Sequence, residues 1–458
     1  MPYRARPRRE TIERPAVLSS DERSQVAHGL INADRFGSMS AHVGVEAKDE
    51  RTPWAQGRMS HMQRDDRHHS LNLVPASYED YRELAYRRLP RQIFDYIDGG
   101  SFNEVTLAAN RTDLQRLHLR QRVLRDVSEL DLSTTVMGEQ LSLPLILAPV
   151  GFGGMFAQRA EVHAARSAER AGISFCESTL SICSMEEVAA ASKRPLWFQL
   201  YIMKDRRYAE DLMARAQAVG CTTLVVTVDL AVVGKRHRDV RNGISGPISR
   251  INRLRRGLDI ARHPRWVRDV AWAGRPLTFG NLERALPNAR VPGDFQGWVA
   301  SQFDPSVTWD DLAWLRSHWP GKIALKGILD PEDARQAVAN GADAVIVSNH
   351  GGRQLDDVPS SISALPAIVN AVGADCDVLI DGGIRSGLDV VKALALGARA
   401  CLVGRPWAFA VADRGEEGVD HLLKNIRDEM LVTFGLTGVT NVKQIDASVL
   451  ATMSTEER

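Results

Sequence analysis

The stretch AVIVSNHGGRQLDDVPSSISALPAIVNAVGADCDVLIDGG, residues 344–383, contains two apolar runs with a helical segment between them. The runs Ala344–Asn349 and Val378–Gly383 each have the length of one buried strand, and each ends in polar or glycine residues. The intervening segment Ser361–Val372 has the length and apolar content of a helix. This order predicts two parallel strands joined by a crossover helix.

The same alternation continues on both sides of this stretch. Six further apolar runs end in the same way: Leu143–Pro149, Ile173–Thr179, Leu196–Tyr201, Leu224–Asp229, Lys322–Gly327 and Cys401–Arg405. Helix-like segments lie between the runs, among them Glu161–Ala171, Glu186–Ala191, Tyr208–Ala218, Pro331–Asn340 and Leu388–Leu396. Eight strands that alternate with helices predict an α/β fold, a (β/α)8 TIM barrel, whose active site lies at the carboxyl ends of the strands.

Two parts of the chain depart from this repeat. Residues 1–70 are rich in charge and poor in aliphatic side chains, so we expect a disordered extension there and the barrel domain in residues 71–458. The connection after the fourth predicted strand, residues 246–310, is a long insertion compared with the other connections. Connections of this length are usually functional or mobile.

Composition and missing motifs exclude several classes of protein. The chain has 458 residues and a net charge of +1, so no overall basic excess predicts a nucleic-acid partner. The five cysteines form no Cys-x-x-Cys pair, which argues against a zinc site or a disulfide scaffold and fits a reducing cytoplasm. No dinucleotide-binding glycine motif follows a strand, and no P-loop occurs. We therefore expect neither a bound metal nor a Rossmann-type site.

The last two predicted strands are followed by glycine turns that suit a phosphate group. These turns are Asp381-Gly382-Gly383-Ile384-Arg385 and Gly404-Arg405-Pro406. In a TIM barrel, the loops after these strands often bind phosphate through backbone N–H groups and a helix N-terminus. Flavin mononucleotide is one such ligand, and Gln199, Thr227 and Lys326 are placed to reach the edge of its ring.

The sixth predicted strand ends in a histidine and an arginine, His350 and Arg353. An imidazole can accept a proton near neutral pH. A guanidinium offers two N–H groups in a planar fork that matches a carboxylate. The pair therefore predicts a base beside a carboxylate anchor.

The motif Ser348-Asn349-His350-Gly351-Gly352-Arg353-Gln354-Leu355-Asp356 resembles the signature of the FMN-dependent L-2-hydroxy acid dehydrogenases and oxidases. The resemblance covers residues 77–445 and includes Phe94–Gly100, Trp197–Tyr201, Thr227–Asp229, Leu325–Gly327 and Asp381–Arg385. Within the family, Leu147–Gly151, Ile328–Ala334 and Ile244–Pro247 are similar to the quinone-linked L-lactate dehydrogenases. The resemblance implies FMN as cofactor, oxidation of L-lactate to pyruvate, and a quinone or cytochrome as electron acceptor.

The resemblance also implies roles for individual residues. In catalysis, His350 would take the hydroxyl proton, with Asp229, Tyr201 and Lys326 assisting. The substrate would be held by Tyr96, Tyr201, Arg236, Arg353 and Leu180. The cofactor would be held by Pro149, Val150, Gly151, Ser178, Gln199, Thr227, Lys326, Ser348, Asp381, Gly382, Gly383, Arg385, Gly404 and Arg405. A homotetramer is implied as well.

Other activities stay open at this point. Leu180 stands where some family oxidases carry a bulky tryptophan, which allows a small or moderately sized apolar substrate group. Gly151 stands where the oxidases tend to have alanine, and so resembles the dehydrogenases, which react slowly with oxygen. The alternatives are an oxidase that uses oxygen, a dehydrogenase for an aromatic acid such as mandelate, and a flavin-binding barrel without turnover. The full catalytic set argues against the last.

Residues 246–275 of the long connection are basic and amphipathic. They contain eight arginines against two aspartates, interleaved with apolar residues such as Ile251, Leu254, Leu258, Trp266 and Trp272. Such a segment suits an anionic membrane surface. We predict a cytoplasmic protein with peripheral contact to the cytoplasmic face of the inner membrane. The alternative is a solvated loop that packs its tryptophans on the barrel.

Overall fold

The computed structural model describes residues 74–244, 249–286, 288, 297–298 and 301–451. The predicted extension, residues 1–70, lies outside the described residues. Parts of the long connection lie outside them as well.

Eight parallel strands close into a barrel, which confirms the predicted fold. In chain order the strands are β1 (Thr134–Val136), β2 (Glu139–Leu141), β3 (Leu145–Leu147), β4 (Ser174–Ser178), β5 (Trp197–Leu200), β6 (Thr223–Thr227), β7 (Lys322–Ile328), β8 (Ala344–Val347), β9 (Asp377–Ile380) and β10 (Ala400–Val403). Strands β3 to β10 pair in sequence order, and β10 pairs with β3 to close the sheet. Seven of the eight predicted runs extend beyond the carboxyl end of their strand, because their last residues belong to the rim loops.

The two remaining strands form an antiparallel hairpin at the amino end of the barrel. Glu139 of β2 accepts hydrogen bonds from Ser174 Oγ (2.9 Å) and Trp197 Nε1 (3.1 Å), at the starts of β4 and β5. Val136 and Leu141 pack among the side chains of the barrel interior. Since each of these strands has three residues, neither was long enough to show an alternating pattern in the sequence.

The helices that the structure describes surround the barrel and cover its carboxyl end. They are α1 (Tyr78–Arg88), α2 (Arg91–Asp98), α3 (Val105–Arg116), α4 (Ala160–Arg170), α5 (Met185–Ala191), α6 (Arg206–Ala218), α7 (His237–Arg241), α8 (Arg250–Ala261), α9 (Pro264–Trp266), α10 (Asp311–His318), α11 (Pro331–Ala339), α12 (Ser361–Val372), α13 (Gly387–Ala395) and α14 (Arg405–Thr437). The predicted crossover helices agree with these bounds to within two residues at each end.

The first two helices bring aromatic side chains to the carboxyl end. A capping box starts α1, in which Ser77 Oγ accepts from the N–H of Asp80 and the Asp80 carboxylate accepts from the N–H of Ser77. Tyr78 of α1 packs against Phe409 of α14, with ring centroids 5.7 Å apart. Pro90 separates α1 from α2, which carries Tyr96.

The long connection between β6 and β7 contains α7 to α10. Helix α8 has no buried residue, and Ile251, Leu254 and Leu258 are between 52% and 64% exposed. Trp266 is buried and donates through Nε1 to the backbone oxygen of Met155 at 2.9 Å. Trp272 is 77% exposed. The alternative interpretation, in which the tryptophans pack on the barrel, therefore holds for Trp266 and does not hold for Trp272.

Candidate active site

A cavity of about 550 Å³ opens at the carboxyl end of the barrel. Each of the eight barrel strands contributes a residue near its carboxyl end to the cavity wall. All of the predicted site residues line the cavity except Asp229 and Ser348, whose side chains contact lining residues from behind. The barrel thus brings the predicted set together.

His350 is held by two contacts that fix its ring. Its Nδ1 lies 2.9 Å from Asp229 Oδ1, and its backbone N–H donates to Ser348 Oγ at 3.0 Å. Because an ionised carboxylate can only accept, Nδ1 carries the proton, and Nε2 keeps its lone pair. Burial lowers the pKa of His350, against the opposing effect of Asp229. The imidazole is therefore neutral at neutral pH and can act as a base.

Asp229 stays ionised in spite of its surroundings. Burial alone raises the pKa of its carboxyl group, but His350 and Lys326 outweigh this effect, and the net shift is downward. A charged Asp229 can hold the Nδ1 proton of His350 and stabilise a positive imidazolium.

Lys326 places a buried positive charge in the same cavity. Its Nζ lies 2.8 Å from Asp381 Oδ2 and donates to Ser348 Oγ at 2.9 Å. Burial lowers the pKa of Lys326, but Asp381 and Asp229 outweigh it, and the pKa is raised overall. The amine is therefore protonated and can stabilise negative charge that develops beside it.

Two guanidinium groups surround the ring of Tyr96. Arg353 Cζ lies 4.8 Å and Arg236 Cζ 5.8 Å from the ring centroid. Arg353 also donates to the backbone oxygens of Tyr96 and Gly99. Arg236 Nη1 lies 3.6 Å from Asp239 Oδ2. Burial, followed by the charge of Arg236, lowers the pKa of Arg353 to about 9. Arg353 is still cationic at neutral pH, and this part of the cavity, with two planar guanidinium groups, suits a carboxylate.

The loop after β9 forms a glycine cradle. Gly382 and Gly383 have φ of +91° and +88°, a region that favours glycine. A Cβ on Gly383 would lie 2.1 Å from the backbone oxygen of Asn110, so no side chain fits there. Arg385 follows with its guanidinium over the ring of Tyr78, at 4.3 Å. The cradle and the cation suit a phosphate.

Helix α14 starts beside this cradle, and its first residue, Arg405, is the second candidate phosphate ligand. No side chain of the described residues caps its first turn, so the backbone N–H groups there are available to an anion, except at Pro406, which has none. The guanidinium of Arg405 donates to the backbone oxygens of Ile97 (2.8 Å), Gly351 (2.9 Å) and Gly99 (2.9 Å). These bonds tie α2 to the loop after β8, and the proposed contact of this guanidinium with phosphate stays a prediction.

The cavity wall includes Gln199, whose side-chain amide has an unpaired donor among the described residues. Gln199 Oε1 accepts from Ser178 Oγ at 3.1 Å. Gln199 Nε2 is buried and finds no hydrogen-bond partner among the described residues. A flavin ring, with its carbonyl oxygens and ring nitrogens, would supply the acceptor. The donor set, the cation at Lys326 and the glycine cradle together fit FMN.

Several cavity residues were not predicted from the sequence. Tyr78 comes from α1, Asp239 from α7, and Phe279 and Phe303 from the long connection. The ring of Phe303 stands edge-on to Tyr201, with centroids 5.5 Å apart. Only Asp239 had a usable signal, because it follows Arg236 by one helical turn.

Comparisons with known proteins show which family and which solved structures this chain is similar to. The family model for FMN-dependent dehydrogenase matches residues 85–452. An L-lactate dehydrogenase of Caulobacter vibrioides (strain NA1000 / CB15N) is 54% identical over 379 residues, 83% of this chain and 98% of that protein. An L-lactate dehydrogenase of Pseudomonas syringae pv. syringae (strain B728a) is 51% identical over 378 residues, 82% and 99% of the two chains. The crystal structure of the monotopic membrane protein (S)-mandelate dehydrogenase is similar with a TM-score of 0.78 and 37% identity, over 82% of this chain and 99% of that chain.

Proposed function

Because the chain belongs to the FMN-dependent dehydrogenase family, we propose that it oxidises L-lactate to pyruvate and passes the electrons to a quinone or cytochrome in the membrane. The names of its relatives support the substrate. The observation that carries the proposal is the His350–Asp229 pair in one cavity with Arg353 and Arg236. Bound FMN supplies the chemistry that accepts the two electrons of the substrate C–H bond.

Different residues of the cavity contact the carboxylate and the hydroxyl group of the substrate. Arg353 and Arg236 hold the carboxylate, which leaves the hydroxyl group for His350 Nε2 and Tyr201. His350 takes the hydroxyl proton, and Asp229 stabilises the imidazolium that forms. Lys326 keeps a positive charge beside the place where the flavin ring would bind. The cavity thereby binds an anion, orients it and removes one proton.

The wall near the substrate side chain also supports a second candidate substrate. Leu180, Phe279 and Phe303 line the cavity, and Phe303 packs edge-on against Tyr201. Apolar and aromatic surfaces of this kind bind a methyl group and can stack on an aromatic ring. An L-2-hydroxy acid with an aromatic side chain, such as L-mandelate, is therefore the second candidate.

The surface around the long connection supports a membrane acceptor. Helix α8 is joined to the carboxyl end of the barrel, because Asp259 accepts from the N–H of Arg91 at 2.8 Å, at the start of α2. Ile251, Leu254 and Leu258 lie on one face of α8 and are exposed. A peripheral contact through this face would bring the cavity side of the barrel to the cytoplasmic face of the inner membrane.

In the described part of the chain, no helix has both the length and the apolar character needed to span a membrane. A homotetramer, which the family resemblance implies, is also part of the proposal.

Steady-state turnover tests substrate and acceptor together. The FMN-loaded protein is assayed with L-lactate, D-lactate and L-mandelate, and with either a quinone analogue or air as acceptor. We expect the highest kcat/KM for L-lactate with the quinone analogue. A higher kcat/KM for L-mandelate would favour the second candidate, and equal rates with air would make the protein an oxidase.

A further inference from the structure

A buried carboxyl group lies behind two of the loops that line the cavity. Glu161, in the first turn of α4, is fully buried and is not among the cavity residues. Burial raises the pKa of Glu161, and the buried carboxyl of Glu177 is shifted in the same direction by burial and by Glu161. Because removing a carboxyl from water is costly, a residue of this kind requires compensating hydrogen bonds.

The hydrogen bonds of Glu161 go to both loops at once. Its Oε1 accepts from the N–H of Gly154 at 3.1 Å and from the N–H of Ile182 at 2.9 Å. The first donor belongs to the loop after β3, which we call the 149–155 loop. The second belongs to the loop after β4, the 178–183 loop. One carboxylate oxygen therefore links the two loops.

The two loops also touch each other where they face the cavity. The N–H of Phe152 donates to the backbone oxygen of Leu180 at 2.9 Å. A Cβ on Gly151 would lie 3.1 Å from Leu180 Cβ, and a Cβ on Gly153 would lie 2.7 Å from Glu161 Oε1. The packing leaves little room, so a shift of one loop must move the other or break the bonds to Glu161.

We propose that Glu161 is a positioning residue that fixes the spacing between the flavin-facing 149–155 loop and the substrate-facing 178–183 loop. Its acceptor oxygen does this, through the two backbone N–H groups. The assignment of the loops to flavin and substrate rests on the proposed function, whereas the link between them does not.

Hydrogen–deuterium exchange of the full-length chain tests the link without any turnover. Glu161→Met keeps the length of the side chain but loses both acceptor bonds, and Glu161→Gln keeps an acceptor oxygen. We expect exchange in both loops to be faster by about tenfold or more in Glu161→Met than in the parent, because two buried hydrogen bonds are lost. Glu161→Gln should restore exchange to within about threefold of the parent.

Ser167→Ala is the matched control. Ser167 is a buried polar residue on the same helix, and its hydroxyl donates to the backbone oxygen of Glu416 at 3.3 Å, away from both loops. If exchange in either loop of Glu161→Met stays as slow as in the parent, the proposal is overturned. So would equally fast exchange in Glu161→Gln, or in Ser167→Ala, since the effect would then not come from the acceptor oxygen.

Separate measurement of KM and kcat tests the functional consequence of the link. In Glu161→Met loaded with FMN, we expect a higher KM for L-lactate and a lower kcat, with both restored by Glu161→Gln. An unchanged KM and kcat beside faster exchange would overturn the positioning role. If the parent protein itself does not oxidise L-lactate, the proposed function fails, and the exchange result still decides whether Glu161 links the loops.

Discussion

His350 combines a strained backbone with a fixed side chain. Its φ is +58°, in the left-handed region that non-glycine residues seldom adopt. Such strain costs roughly 1–3 kcal/mol and persists where the surroundings impose it, often at functional sites. Here the bond from the His350 N–H to Ser348 Oγ and the contact with Asp229 impose it, and they leave Nε2 free to accept a proton.

The pH dependence of kcat/KM with L-lactate should report this base. Burial lowers the pKa of His350 below its ordinary value of 6.5. The proposed mechanism uses the neutral imidazole as the base. Activity should therefore rise with pH and level off, with a midpoint below 6.5. Asp229→Asn removes the charge that opposes this shift, so its midpoint should be lower still, and its rate should fall by about 10²-fold or more. A parent midpoint above the ordinary histidine value would contradict the account.

Arg353 is expected to act on both binding and rate. Arg353→Lys keeps a positive charge but loses the planar fork and the paired hydrogen bonds to backbone oxygens. A misplaced carboxylate also misplaces the reacting carbon, so we expect KM to rise and kcat to fall, each by about tenfold or more. Steady-state kinetics measure both. The control is Arg207→Lys, an exposed arginine that pairs with Asp205, and equal kinetics in the two variants would remove Arg353 from the site.

The rim residues could be predicted because a strand and the loop after it differ in chemistry. Each apolar run gives way to glycine or polar residues, and barrel closure brings these positions together. Tyr78, Phe279 and Phe303 could not be found in this way. They reach the cavity from α1 and from the long connection, whose packing depends on contacts far apart in sequence.

The exposed face of α8 should contribute to membrane binding. Replacing Ile251, Leu254 and Leu258 by glutamine removes apolar surface that could enter the interface, while the arginines remain. In a sedimentation assay with phosphatidylglycerol-containing vesicles at low salt, we expect affinity to fall by about tenfold or more. Flavin reduction by L-lactate should be unchanged.

The matched control for this element is on α14. Val432 and Leu436 are 60% and 55% exposed, and their replacement by glutamine changes surface of the same kind elsewhere. If the α8 variant and the α14 variant sediment like the parent, α8 is not a membrane contact. Full recovery of the parent in the supernatant, with or without vesicles, would favour a soluble acceptor.

The two ends of the barrel differ, because a hairpin covers the amino end and the cavity opens at the carboxyl end. The β1–β2 hairpin covers the amino end, and α1 and α2 extend over the carboxyl end beside the cavity. Among the cations that line this cavity, Lys326, Arg236 and Arg353 lie with buried aspartates, and Arg385 adds a further charge at the glycine cradle. Such a distribution favours two anions, a phosphate at one end and a carboxylate at the other.

The proposed function depends on one step, in which His350 removes the hydroxyl proton of L-lactate while bound FMN is reduced. Anaerobic mixing of the FMN-loaded protein with L-lactate, followed in the visible flavin band, measures this step, with FMN-loaded His350→Gln as the control. We expect rapid bleaching in the parent, none with D-lactate, and a rate lower by about 10²–10⁴-fold in the variant, which still retains its flavin. Bleaching of His350→Gln at the parent rate, or a parent flavin that L-lactate leaves oxidised, would contradict the account.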